Sequence, residues 1–250
     1  MNEIKAALEG PAGYRTGLRF TPEELAQVRA LIRDQWLERI AQAAPSALKE
    51  FEKITMDRYH ELCHLVDHKS LWPKARRILG QDSVKKIRAT SLVGALEREF
   101  GPFGISDEEE IGHEEMYWRL VRPGGAGDVG PLHADAWFWN LGHGRTPEGA
   151  QRVKVWIAIH CDTGQNGFRF VPGSHRKDWP YHGVERDGFV KPQIDVNDED
   201  LEVSIFASKP GDAIVFHDRL LHGGAPGGAT TRVSLEFTMF VPLERYLVRH

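Results

Sequence analysis

The sequence predicts a mainly β protein with an N-terminal layer of helices, its strands antiparallel and wrapped as a sandwich or barrel. Two observations carry that prediction. The hydrophobic period changes near residue 113, from helical spacing to the alternation of strands. Beyond that point the strand-like segments are separated by Gly, Pro, Asn and Asp turns, with no helical pattern of useful length between them. A length of 250 residues with 41% hydrophobic side chains suits one domain spanning 1–250, in which residues 1–110 are mostly helical cover and first strands and 113–241 form the core.

The first helix is the best defined. In "RFTPEELAQVRALIRDQWLERIAQ", Thr21 is the N-cap, Pro22 takes the first helical position and Glu24 completes a capping box. Leu25, Val28, Ile32, Trp36 and Ile40 recur at helical spacing, so one face packs on a core. Further helices are expected over "ALKEFEKITMDRYHELCHLV" and "SLWPKARRIL". On one continuous helix His60, His64 and His68 would share a face, yet no carboxylate or cysteine completes a ligand set there. Strands follow at "EMYWRLV", "RVKVWIAIH", "GFRFV", "LEVSIFAS", "DAIVFH" and "TRVSLEFTMFV". The acidic "FGPFGISDEEEIGHEE" and the polar "RKDWPYHGVERDGFVKPQIDVNDED" read as long loops, a form that tends to serve as lids or binding loops.

Charge and cysteine content exclude several classes. The formal charge is −4, the pI is near 6.3, and Lys and Arg are scattered rather than clustered, so no nucleic acid partner is expected. Cys63 and Cys161 make neither a C-x-x-C pair nor a disulfide framework. "MNEIKAALEG" lacks the apolar stretch of a signal peptide, and no run approaches the roughly 20 apolar residues that span a bilayer. The expectation is a cytoplasmic protein, with reduced thiols, that acts on a small molecule.

The chemistry concentrates in "DVGPLHADAWFW", where His133 and Asp135 stand two apart between a glycine-rich turn and a run of aromatics. One H-x-D is weak, and the chain holds a second in His160-Cys161-Asp162. A third ligand far along the chain strengthens the first: His222 follows a strand and precedes a glycine-rich turn. In the next strand alternation puts Arg232, Ser234, Glu236 and Thr238 on one face. A guanidinium beside a hydroxyl is a fitting receptor for a carboxylate. The competing reading pairs Arg232 with an acidic neighbour such as Glu236.

Together these motifs resemble the phytanoyl-CoA dioxygenase family of iron(II) and 2-oxoglutarate-dependent oxygenases. The order is the family's: H-x-D at His133 and Asp135, the strand and N-G turn of "VWIAIHCDTGQNGFRFVPGSHR", then His222 and Arg232. The resemblance, over roughly 113–241, implies a double-stranded β-helix, a jelly-roll of cupin type. It implies His133, Asp135 and His222 as iron ligands, with Arg232, Ser234 and Trp156 around 2-oxoglutarate. Trp139 falls where ectoine hydroxylase and its relatives carry an aromatic beside the cofactor. His175 of "PGSHR" belongs to a structural signature, and Asp162 falls where it would cap a turn. The implied reaction consumes O₂ and hydroxylates a C–H bond of a small polar or amphiphilic molecule. The same oxidant also serves desaturation, cyclisation and epimerisation. Candidate substrate contacts are Trp137, Asn140, His143, Arg119 and Arg169, joined by His160 if the face it shares with Lys154 and Trp156 is inward. A metalloenzyme using no 2-oxoglutarate, or a non-catalytic carboxylate-binding protein, are the rival readings.

Overall fold

A computed structural model describes residues 3–186 and 188–243. Among these residues eleven strands run β1 Tyr14–Arg19, β2 Gly104–Ile105, β3 Tyr117–Val121, β4 Ala150–His160, β5 Phe168–Phe170, β6 Tyr181–Arg186, β7 Phe189–Ile194, β8 Ser204–Ile205, β9 Asp212–His217, β10 His222–Gly224 and β11 Arg232–Pro242. The major sheet has the order β1-β9-β4-β11-β2, with β3 also paired to β11. The minor sheet is β10-β5-β8, and β6 and β7 form a separate hairpin. Every pairing is antiparallel.

Alternation decides what each face of the major sheet meets. Val153, Val155, Ile157, Val215, Leu235 and Phe237 join the cluster that holds the N-terminal helices. Trp156, Ile214 and Phe216 point the other way, onto Phe168 and Phe170 of the minor sheet. The two sheets are therefore the opposed walls of a jelly-roll, a double-stranded β-helix, and the helices cover the outer face of one wall.

The capping box forms as read. The backbone N–H of Glu24 donates to Thr21 Oγ1 at 3.2 Å, and that of Thr21 donates to Glu24 Oε2 at 2.9 Å. The helix spans Pro22–Ala43 and buries Val28, Ile32, Trp36 and Ile40. Aromatic rings then carry packing from this helix to the sheet. Trp36 meets Phe51 at 5.5 Å and Tyr59 at 6.4 Å, and Trp72 meets Trp118 of β3 at 5.1 Å. Two of the indole N–H groups find partners: Trp118 Nε1 donates to Gln35 Oε1 at 2.7 Å, and Trp72 Nε1 to the Tyr59 hydroxyl at 3.0 Å, whereas Trp36 Nε1 is buried without one.

Several expected elements differ. The helix read over residues 47–66 breaks into Leu48–Glu52, Tyr59–Leu62 and intervening 3₁₀ turns. His60 and His68 thus never share a helical face. His60 Nδ1 meets Thr231 Oγ1 at 3.0 Å, and His68 lies 3.4 Å from Asp128. Pro73, which has no N–H to donate, likewise ends His68–Leu71 and divides the helix read over 70–79. The strand read in "LEVSIFAS" shrinks to Ser204–Ile205. The long polar excursion contains the β6–β7 hairpin. The strand content expected within 1–110 includes β1, on the edge of the major sheet.

Candidate metal centre

Two backbone hydrogen bonds lock His133 to His222 across an isolated antiparallel bridge: His133 N–H donates to the His222 carbonyl at 3.0 Å, and His222 N–H to the His133 carbonyl at 2.9 Å. Their rings lie 4.6 Å apart. In each, Nδ1 faces a carbonyl two residues back, Pro131 or Leu220, at 2.9 Å. Nδ1 therefore carries the proton, and Nε2 keeps its lone pair for the space between the rings. Phe168 stacks on His222 at 5.2 Å and 17°, which fixes that ring's plane.

Asp135 is the first residue of the helix Asp135–Asn140, which sequence reasoning left unassigned. The Ala136 N–H donates to the Asp218 carbonyl at 2.9 Å, and Trp137 stacks on Tyr181 at 4.4 Å, so the start of this short helix is held on two sides. Asp135 Oδ2 reaches to 3.3 Å from His222 Nε2. The three residues offer ligand atoms within 4.8 Å of one another, and Asp135 Oδ2 is buried with no hydrogen-bond partner. Two imidazoles and one carboxylate converging in this way fit the ligand face of non-haem iron(II).

Electrostatics prepare these ligands. Burial first, and His222 second, push His133 down to about 4, so it is neutral at pH 7. Burial likewise lowers His222. For Asp135 burial favours the neutral form, but Lys154, then the two histidines, outweigh it and hold the carboxyl below the usual range. Lys154 Nζ lies 3.6 Å from Asp135 Oδ2 and donates to Thr238 Oγ1 at 2.8 Å.

The inner face of β11 is as read: Arg232, Ser234, Glu236 and Thr238 point toward the centre, while Val233, Leu235, Phe237 and Met239 pack on the helices. The expected alternative, an Arg232–Glu236 pair, does not form. Glu236 instead accepts from Arg119 Nε at 2.9 Å and the Tyr117 hydroxyl at 3.1 Å. Ser234 Oγ donates to the other Glu236 oxygen at 3.0 Å, which commits its one proton. Among the described residues Arg232 makes no ion pair, and its Nε is buried without a hydrogen-bond partner. Its guanidinium lies 5.9 Å from the Trp156 ring, and burial lowers it to about 10, still a cation at pH 7.

Other expected contacts fall elsewhere. His160 was read on the face of Lys154 and Trp156. In β4, however, Ala158 pairs with Ser234 and His160 with Val233, which leaves Ile159 as the extra residue of a bulge. The bulge turns His160 toward the helices, 3.8 Å from Asp57, and Arg29 holds the Ile159 carbonyl at 2.7 Å. Arg169 sits between inward-facing Phe168 and Phe170 and therefore points outward, bonding Asp198 at 2.7 Å. Trp137 is buried with Leu132, Val171, Ile194 and Leu221 rather than lining the centre. Asn140 donates to the Tyr181 hydroxyl at 3.2 Å, and His143 Nε2 meets the Val190 carbonyl at 2.7 Å, so both tie the helix to the β6–β7 hairpin. Trp139 lies 5.8 Å from Phe240, with Arg152 above its ring at 4.9 Å. Asp162 caps the turn before Arg232 through Ala229 N–H and Thr230 N–H. His175 packs so closely on Gly13 that an added Cβ would lie 2.2 Å from Nδ1, and the φ of +79° there also disfavours any other residue. Ser174 of the same motif accepts from the Leu221 N–H at 2.8 Å and so steadies the strand that bears His222.

Sequence reasoning named no role for Lys154, Arg152 or Glu108 in this network. Glu108, from the acidic segment read as a loop, accepts from Thr238 Oγ1 at 2.9 Å and pairs with Lys74 at 2.8 Å. The spacing of polar residues on β4 and β11 was the available signal for the first two.

The sequence profile of phytanoyl-CoA dioxygenase (PhyH) matches residues 16–232. The chain belongs to that family. Membership in the PhyH family makes it, in general terms, a non-haem iron and 2-oxoglutarate oxygenase. Three solved structures share the PhyH chain's fold. The non-heme monooxygenase ThoJ in its apo form is 16% identical with a TM-score of 0.57, over 95% of this chain and 76% of that one. AviO1 from Streptomyces viridochromogenes Tue57 is 16% identical with a TM-score of 0.55, over 97% and 96%. EctD from S. alaskensis, solved with 2-oxoglutarate and 5-hydroxyectoine, is 16% identical with a TM-score of 0.55, over 98% and 83%. No curated protein matches the sequence. No helix among the described residues is long and apolar enough to cross a membrane.

Proposed function

We infer that this PhyH-family protein hydroxylates an unactivated C–H bond of a small polar or amphiphilic molecule, such as a natural-product intermediate, an amino acid derivative or a sugar, using Fe(II), 2-oxoglutarate and O₂ and releasing succinate and CO₂. One observation carries the reading. On the inner face of the major sheet Arg119 pairs with Glu236, Lys154 with Asp135 and Arg152 with Asp218, while Arg232 alone among these cations has no anion. A buried, unpaired guanidinium is costly unless a ligand completes it. The far carboxylate of 2-oxoglutarate, taken in two parallel hydrogen bonds, is the matching anion.

His133, Asp135 and His222 would hold iron through Nε2, a carboxylate oxygen and Nε2. Iron with 2-oxoglutarate supplies the oxidising power when bound. The chain does the rest. The carbonyls of Pro131 and Leu220 fix the imidazole tautomers, Trp156 floors the guanidinium of Arg232, and Phe168 and Phe216 keep water from the His222 side. Trp139, which lies beside Arg152 and Phe240, is the aromatic proposed to meet cosubstrate or substrate. Retention of Asp135 favours hydroxylation over halogenation, which in related enzymes has a small residue there; desaturation, cyclisation and epimerisation begin from the same oxidant. A cytoplasmic setting and the absence of a nucleic acid partner belong to the same proposal.

The test is an anaerobic titration with Fe(II) and then 2-oxoglutarate, following the visible charge-transfer band of the chelate. Arg232→Ala should weaken 2-oxoglutarate binding by about a hundredfold, the loss of a bidentate charged contact, and leave iron affinity within about threefold. Equal cosubstrate affinity in wild type and variant would remove Arg232 from the role.

A further inference from the structure

The inner face of β11 poses a problem that its own sequence does not solve. Glu236 is a fixed carboxylate on the surface meant to receive a carboxylate, one same-face step beyond Ser234 from Arg232. Among the groups acting on Arg232, Glu236 is the strongest charge. Left free, it would close onto Arg232 as an internal ligand and shut the receptor.

We propose that Arg119 is a positioning residue that holds Glu236 away from Arg232 and so keeps the receptor open, rather than a contact to substrate. Arg119 lies on β3, directly across from Ser234. Its Nε donates to Glu236 Oε2 at 2.9 Å, the Tyr117 hydroxyl donates to the same oxygen at 3.1 Å, and Ser234 Oγ occupies Oε1 at 3.0 Å. Both carboxylate oxygens are thereby taken. Lys154, the remaining cation nearby, is committed to Asp135 and Thr238. The Arg119 side chain is 43% exposed, whereas Arg232 as a residue is 2% exposed. The carboxylate is thus spent on the cation that water already helps, and the deeply buried one is reserved for a ligand.

The inference rests on the proposed function for its ligand, and the experiment separates the two. Wild type, Arg119→Met, Glu236→Gln and the double variant are titrated anaerobically with 2-oxoglutarate at saturating Fe(II), and with Fe(II) alone. In parallel, the Arg232 Nε–H resonance is followed without ligands, assigned by its loss in Arg232→Lys. Arg119→Met should weaken 2-oxoglutarate binding about tenfold or more with iron affinity unchanged, and should shift the Arg232 resonance as a carboxylate engages it. The double variant should return both readouts to those of Glu236→Gln, because no carboxylate remains to intrude. Arg119→Lys, which keeps the cation, should stay near wild type and serves if the methionine variant fails to fold. A double variant as weak as Arg119→Met would overturn the inference, since Arg119 would then touch the cosubstrate itself. So would an unshifted Arg232 resonance in Arg119→Met. If wild type binds no 2-oxoglutarate the oxygenase reading falls, and the resonance still decides whether Arg119 holds Glu236.

Discussion

Each titratable side chain around the centre is set by what borders it. His133 and His222 stay neutral because burial opposes a second proton, and Asp135 stays charged because Lys154 offsets its burial. His133→Ala should abolish iron binding, whereas His160→Ala should leave it intact; loss of iron in the second variant alone would reverse the assignment of the two H-x-D motifs. His160 has a different signature. Burial, then Arg29, lowers it to about 4. An unfolded histidine takes its proton near pH 6.5, so between ~6.5 and ~4 the unfolded chain binds a proton that the folded chain refuses, and stability falls with pH by up to about 3 kcal/mol. His160→Gln should flatten that part of the curve in urea titrations at stepped pH; an unchanged slope would show that other groups dominate. The H-x-D pair, the distal histidine and the arginine were legible because each is a local pattern. The partner of Glu236 was not, since it depends on cross-strand register between β3 and β11, which no stretch of sequence states.

Among elements, the short helix Asp135–Asn140 matters most, because its first residue supplies a carboxylate and Trp137 and Asn140 dock it on the β6–β7 hairpin. Trp137 is 7% exposed between them. Trp137→Ala should cost ~3–5 kcal/mol by the usual scale of large core truncations, and should weaken iron binding by letting the helix move. Thermal unfolding and iron titration read the two effects separately, and a variant that loses stability at full iron affinity would make the stack structural only. Strand alternation on β11 was read correctly throughout. It failed at one place in β4, where Ile159 adds a single residue and turns His160 to the other side of the sheet. A period-2 pattern carries no mark of such a bulge. The long helix read over 47–66 failed for a related reason: its apolar positions match helical spacing, yet Phe51, Met56 and Tyr59 reach the core only through broken turns.

At the scale of the molecule, the helices and the outer face of the major sheet share one apolar cluster, running from Ile4 to Val241. Residues 1–250 are accordingly proposed as one cooperative domain. Far-UV circular dichroism and tryptophan fluorescence should report coincident urea transitions, since Trp36, Trp118 and Trp156 sample the helices, the strand beside them and the inner wall. Separate transitions would divide the helical layer from the jelly-roll. The bridge between His133 and His222 bears on how such a protein is made. The backbone groups that hold the His133 main chain lie late in the sequence, on a strand that leaves the ribosome only after β4 to β9 have emerged. A nascent chain displaying His133 and Asp135 alone lacks both this bridge and the third ligand, so a chain stalled before residue 222 should emerge metal-free.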